Sequence, residues 1–110
     1  MRWINYIVQA LENLDGEAKY QDIYEEVRKL KEKDRIKLPT HWKAIIKGRI
    51  ENHCEEVDGY IEGYPSLFYP PEGKGKGVWA LSNDALSILN KRYKTATHKW
   101  EINKQKGLLV

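Results

Sequence analysis

Leu67-Phe68-Tyr69-Pro70-Pro71-Glu72-Gly73-Lys74-Gly75-Lys76-Gly77-Val78-Trp79-Ala80-Leu81 is the run on which the architecture turns. Two short β-prone stretches, Leu67 to Tyr69 and Val78 to Leu81, flank a connector rich in glycine, a pattern that predicts an antiparallel hairpin. Pro70 and Pro71 have no amide hydrogen to give a ladder, so they end the first strand and open a wide turn. The glycines let that turn approach another backbone closely, and Lys74 and Lys76 place positive charge on it.

Working outward, Ser82 is a candidate cap for a final helix carrying Ala85, Leu86, Leu89 and Tyr93. Beyond about residue 95 the periodicity fades, with Trp100 and Ile102 available to dock the tail. On the other side, residues 55 to 65 read as an acidic loop around Asp58-Gly59 and Glu62-Gly63, pinned by Tyr60 and Tyr64. Before it, a helix opening near Pro39 and Thr40 turns Trp42, Ile45, Ile46, Ile50 and His53 inward. Its outer face then presents Thr40, His41, Lys43, Ala44, Lys47, Gly48 and Glu51. Gly48 inside that helix costs roughly 1 kcal/mol against alanine, which points to a close approach by a neighbouring helix or a ligand.

Further upstream, Tyr20, Ile23, Tyr24, Val27 and Leu30 mark a helix over about 21 to 33. Ala18 to Tyr20 is a short extended entry to it. Ile4, Ile7, Val8, Leu11 and Leu14 mark a first helix that Asp15-Gly16 stops. No internal repeat is visible. Trp42 and Trp79 are expected in the core, packing the third helix on the hairpin, with Trp3 more exposed.

At 110 residues and a net charge of +3, the chain is sized for one domain whose apolar core needs no disulfide, and Cys54 is its single cysteine. A leader and a membrane span are not expected, and the compartment read from the sequence is the cytoplasm. Charge is distributed in blocks: −4 over 1–27, +7 over 28–49, −6 over 50–72 and +6 from 73 onward. Two basic segments separated in the chain suit a nucleic-acid reader if the fold joins them.

Helix, short strand, helix, helix and a basic hairpin is the order of a winged helix-turn-helix, an α+β fold whose third helix enters a DNA groove and whose hairpin is the wing. The expected organisation is a winged-helix domain over 1–81, followed by a C-terminal helix and tail over 82–110. Three runs carry a family resemblance: Gly16-Glu17-Ala18-Lys19-Tyr20-Gln21-Asp22-Ile23-Tyr24, Leu38-Pro39-Thr40-His41-Trp42, and Leu67-Phe68-Tyr69 leading to Gly73-Lys74-Gly75-Lys76-Gly77-Val78-Trp79-Ala80-Leu81. Across about residues 4 to 81 they resemble the winged-helix domain often appended to prokaryotic modification-dependent restriction endonucleases. Some members of that family read N6-methyladenine. The chain departs from it at Cys54-Glu55-Glu56-Val57, where members usually carry Ser-Ser-Asp after the histidine matching His53, and in offering no nuclease pattern.

The expected partner is therefore double-stranded DNA, adenine-methylated if the resemblance extends to reading. Thr40, His41 and Ala44 face base edges. Lys37, Lys43, Lys47, Lys74 and Lys76 hold phosphates, and Trp42 is the candidate contact to a methylated base. Two buried methyl groups at about 0.8 kcal/mol each amount to roughly fifteenfold preference. No catalytic constellation, metal-ligand spacing or phosphate loop with its following helix appears, so no enzyme activity and no cofactor are expected. Cleavage would come from a nuclease in trans, and the chain is expected to act as a monomer away from membranes. A protein-interaction winged helix using the acidic segment is the alternative.

Overall fold

The computed structural model describes residues 2–92, with the side chains of 90–92 excepted. Tyr93, Trp100, Ile102 and the tail lysines named above lie outside the described residues. What is described is an α+β domain of four helices and one three-stranded antiparallel sheet.

The first helix, α1 (Trp3–Asn13), is the hub. Ile4, Tyr6, Ile7, Val8, Ala10 and Leu11 are all buried, so its apolar stripe is wide enough to pack against several elements at once. It touches α2 (Tyr20–Lys33), α3 (Trp42–Asn52), β3 (Val78–Leu81) and α4 (Ala85–Arg92). Asn5 is fully buried among these residues, and its amide finds no hydrogen-bond partner among the described residues.

Helices α1 and α2 stop in the same way. The Gly16 amide donates to the Leu11 carbonyl at 2.7 Å, and the Asp15 amide to Glu12 at 3.2 Å. At the end of α2 the Ile36 amide donates to Lys31 at 2.9 Å and the Arg35 amide to Glu32 at 3.0 Å. Both are Schellman closures, in which the residue after the cap adopts a left-handed conformation. Here those residues are Asp15 (φ 66°) and Arg35 (φ 58°), side-chain-bearing residues in a region that favours glycine. The Asp15-Gly16 stop is as expected; the one at Arg35 has no glycine to announce it.

The expected hairpin is present. In β2 (Phe68–Tyr69) and β3 the register pairs Phe68 with Leu81 and Tyr69 with Ala80. On the other side of β3, β1 (Glu17–Lys19) pairs Glu17 with Ala80 and Lys19 with Val78, which makes β3 the central strand. Phe68, Val78, Trp79 and Ala80 are buried, and the core runs from them through Ile46, Ile50, Ile23 and Val27 to α1. Ala85 and Leu89 join that core, so α4 packs against the domain.

Four expectations are corrected. Helix α3 begins at Trp42, so Thr40 lies in the turn before it and does not cap it; His41 holds the cap position without a side-chain hydrogen bond. Ser82 does not cap α4 through its hydroxyl, which donates to the Ser66 carbonyl at 3.5 Å. Trp42 is half-buried against Tyr24 on α2, away from the hairpin, because it sits at the very start of α3 where α2 crosses. Trp3 is half-buried under Lys31, whose Nζ stands 3.7 Å from the indole centroid.

Candidate nucleic-acid interface

The outward face of α3 carries the predicted residues. Lys43, Ala44 and Lys47 are exposed, while Ile46 and Ile50, at helical spacing from Trp42, turn inward. Thr40 and His41 are exposed in the preceding turn. A Cβ built at Gly48 would meet nothing within 4 Å, which removes the neighbouring-helix explanation for that glycine and leaves the space in front of it open.

The loop between β2 and β3 swings back to α3. Lys74, Gly75 and Gly77 line a cleft of about 410 Å³ together with Lys47 and Glu51 of α3, Asp58 and Gly59 of the acidic loop, and Tyr20 and Trp79 on its floor. Gly75 (φ 79°) and Gly77 (φ 74°) both need the left-handed conformation to make this return. Thus Lys47 and Lys74, 27 positions apart in the chain, face one opening. Lys76 is exposed on the same loop but does not line the cleft. Lys37 is separated from both: it borders a shallow depression with Arg28, Arg35 and Ile36 at the end of α2.

Below the lysines runs a row of rings that sequence reading did not single out as one feature. Trp79 meets Tyr20 edge-on at 6.2 Å, Tyr20 stacks on Tyr24 at 5.7 Å, and Tyr24 meets Trp42 edge-on at 6.1 Å. Lys47 Nζ lies 5.8 Å from the Tyr20 ring, and Lys43 Nζ 5.5 Å from Trp42 and 5.9 Å from Tyr24. Each cation is near the outer limit of useful attraction to a ring face, so the rings orient the lysine stems while the ammonium groups keep access to solvent. The spacing of Tyr20 and Tyr24, one helical turn apart, was the available signal.

Burial pushes the Tyr20 phenol up to about 12, with the indole N–H of Trp79 acting in the opposite direction and the Glu51 carboxylate adding to the rise. The Tyr24 phenol is raised too, first by burial and then by Glu51. Trp79 Nε1 is buried without a well-aligned hydrogen bond among the described residues, so its approach to the Tyr20 hydroxyl is electrostatic rather than a formed bond.

Part of the basic block of the sequence is not available to a ligand. Lys31 is buried between the Trp3 and Tyr6 rings, at 3.7 and 4.6 Å, and desolvation lowers its pKa. Arg28 is paired with Glu25 and Glu32 at 2.7 and 2.8 Å. The usable positive charge on this side is accordingly narrower than the run 28–49 implied.

His53 and Cys54, adjacent at the end of α3, are both buried. The His53 Nδ1 is 2.9 Å from the Pro65 carbonyl, and the ring lies 5.0 Å from that of Tyr64. Burial raises the Cys54 thiol, keeping it protonated and unreactive. These groups fasten the acidic loop, whose Tyr60 hydroxyl donates to the Tyr64 carbonyl at 2.8 Å. No group of three metal-ligating side chains occurs among the described residues, and none of their helices is long and apolar enough to cross a membrane. Protein-family models, curated proteins and solved structures all return no match to the chain.

Proposed function

We propose that this domain is a winged helix that binds double-stranded DNA, with α3 in the major groove and the β2–β3 loop as the wing on the flanking backbone. The observation that carries the reading is the convergence of Lys47 from α3 and Lys74 from the loop on one open cleft, with Lys43 one turn away on the same helix face. Lysines on two elements framing an open groove suit a ribbon of phosphates, and an exposed helix face between them suits base edges. Thr40, His41 and Ala44, all exposed, are the base-reading candidates at the leading end of α3. Lys37, set apart at the end of α2, is assigned to the phosphates beyond that end.

Adenine methylation is the modification this face is proposed to favour. An N6-methyl group projects into the major groove, where the Ala44 methyl and the half-exposed edge of Trp42 offer apolar surface. Cleavage is not assigned to the chain; a nuclease partner would supply it.

The test is duplex binding against salt, with one duplex prepared unmodified, hemimethylated and fully methylated. With four or five lysines on phosphates, log K against log salt should fall with a slope of about −4. The fully methylated duplex should bind about fifteenfold tighter, from two buried methyl groups at about 0.8 kcal/mol each. A flat salt response removes the DNA reading; equal binding of the three duplexes removes methyl preference alone.

A further inference from the structure

The cleft between α3 and the wing is lined by charges of both signs. Lys47 and Lys74 share it with the carboxylates of Glu51 and Asp58, yet no ion pair joins these groups among the described residues. Glu51 lies one turn beyond Lys47 on the same face and is half-exposed. A Cβ at Gly59 would come within 2.9 Å of Glu51 Cβ, so the acidic loop packs directly against this residue and only glycine fits there. Glu51 Oε1 would stand 3.5 Å from that same Cβ, so the carboxylate lies along the acidic loop at the cleft.

A carboxylate beside phosphate-binding lysines weakens DNA binding unless it meets a hydrogen-bond donor. In the major groove the bases offer only two donors, the exocyclic amines of cytosine and adenine. In an A·T pair that amine lies between adenine N7 and thymine O4, which repel a carboxylate from both sides; in a G·C pair the cytosine amine has guanine O6 on one side only and the apolar C5–H edge on the other. Building on the DNA reading above, the geometry points to Glu51 as a specificity-determining residue that accepts a hydrogen bond from the N4 amine of a cytosine. Seven residues beyond Ala44, it lies about 10 Å further along the helix, roughly three base pairs from the Ala44 contact. Asp58, next to Gly59 on the loop, lacks a helix to aim it.

The experiment is selection from a pool of duplexes with a randomised centre, prepared unmodified and adenine-methylated, by the parent, Glu51→Gln and Glu51→Ala. Circular dichroism verifies the fold of each. The parent selects cytosine at one position. Glu51→Gln moves that position to adenine, because an amide matches the adenine N6 and N7 pair. Glu51→Ala loses the preference there by about tenfold and binds random duplex more tightly. Variants that bind more tightly while selecting the same bases as the parent overturn the inference and leave the DNA reading standing. A parent that binds no duplex in a salt-dependent way overturns both.

Discussion

Ala44 and Trp79 show how differently two positions of the domain are committed. Ala44 is exposed on α3, so Ala44→Glu should leave the fold intact while placing a charge where base edges and phosphates would lie. The expected outcome is loss of duplex preference with an unchanged circular dichroism spectrum, measured by competition between methylated and unmethylated duplexes. Trp79 is only 6% exposed and closes the sheet over the core beside Tyr20. Trp79→Ala should cost about 3–5 kcal/mol and be visible as a large drop in melting temperature. A melting temperature within a degree or two of the parent would mean the indole is not part of the core. Its side-chain burial was legible in the sequence, because a tryptophan on the second strand of a hairpin has one face to fill. The outcome at Trp42 was less legible: being first on its helix, it lies at the edge of the core, half-buried against Tyr24.

Among elements, the β2–β3 loop separates charge from folding most cleanly. Lys74 and Lys76 are exposed, and no ion pair involves them among the described residues. Lys74→Ala with Lys76→Ala should therefore weaken binding to all duplexes alike, reduce the salt slope by one to two, and leave melting unchanged. Normal binding by the double variant would remove the wing assignment. The hairpin itself was readable because Pro70-Pro71 and three alternating glycines leave few other conformations. Helix ends were less readable. Asp15-Gly16 advertises a stop, but Arg35 takes up the left-handed position through tertiary and hydrogen-bond demands that composition does not encode. Lys31 is the clearest failure of pattern: a lysine in a basic run reads as solvated, whereas the Trp3 and Tyr6 rings on another helix provide the surface that buries it. That information exists only once α1 and α2 meet.

At the scale of the whole molecule, several phenols tie stability to alkaline pH. Tyr6 donates to Asp34 Oδ2 at 2.6 Å, and its pKa is raised well beyond the ordinary 10, mainly by burial. Tyr20 rises to about 12 and Tyr24 is raised as well. A raised folded pKa means that the unfolded chain gives up its protons first. The stabilisation is therefore complete below pH 10 and is lost as pH rises through the folded values. Lys31 acts in the opposite sense, since its lowered pKa favours the folded state as the solution becomes alkaline. Melting temperature should fall steeply between pH 10 and 12, with tyrosinate absorbance appearing together with unfolding. Tyrosinate that appears before any loss of structure would show these phenols to be solvated.

The central position of β3 also fixes an order of events. Its partners, β1 and β2, lie about 60 and about 10 residues upstream, so the sheet cannot close until the two halves of the chain have met. Closing so long a loop is slow beside helix formation, which makes pairing of Glu17 with Ala80 a late step of folding. The loop that brings Lys74 to α3 is anchored by that same strand. A chain released from synthesis before Val78 would contain the segments of α1, α2 and α3 but neither the central strand nor α4, and the cleft would come into existence only with the last stretch of the sheet.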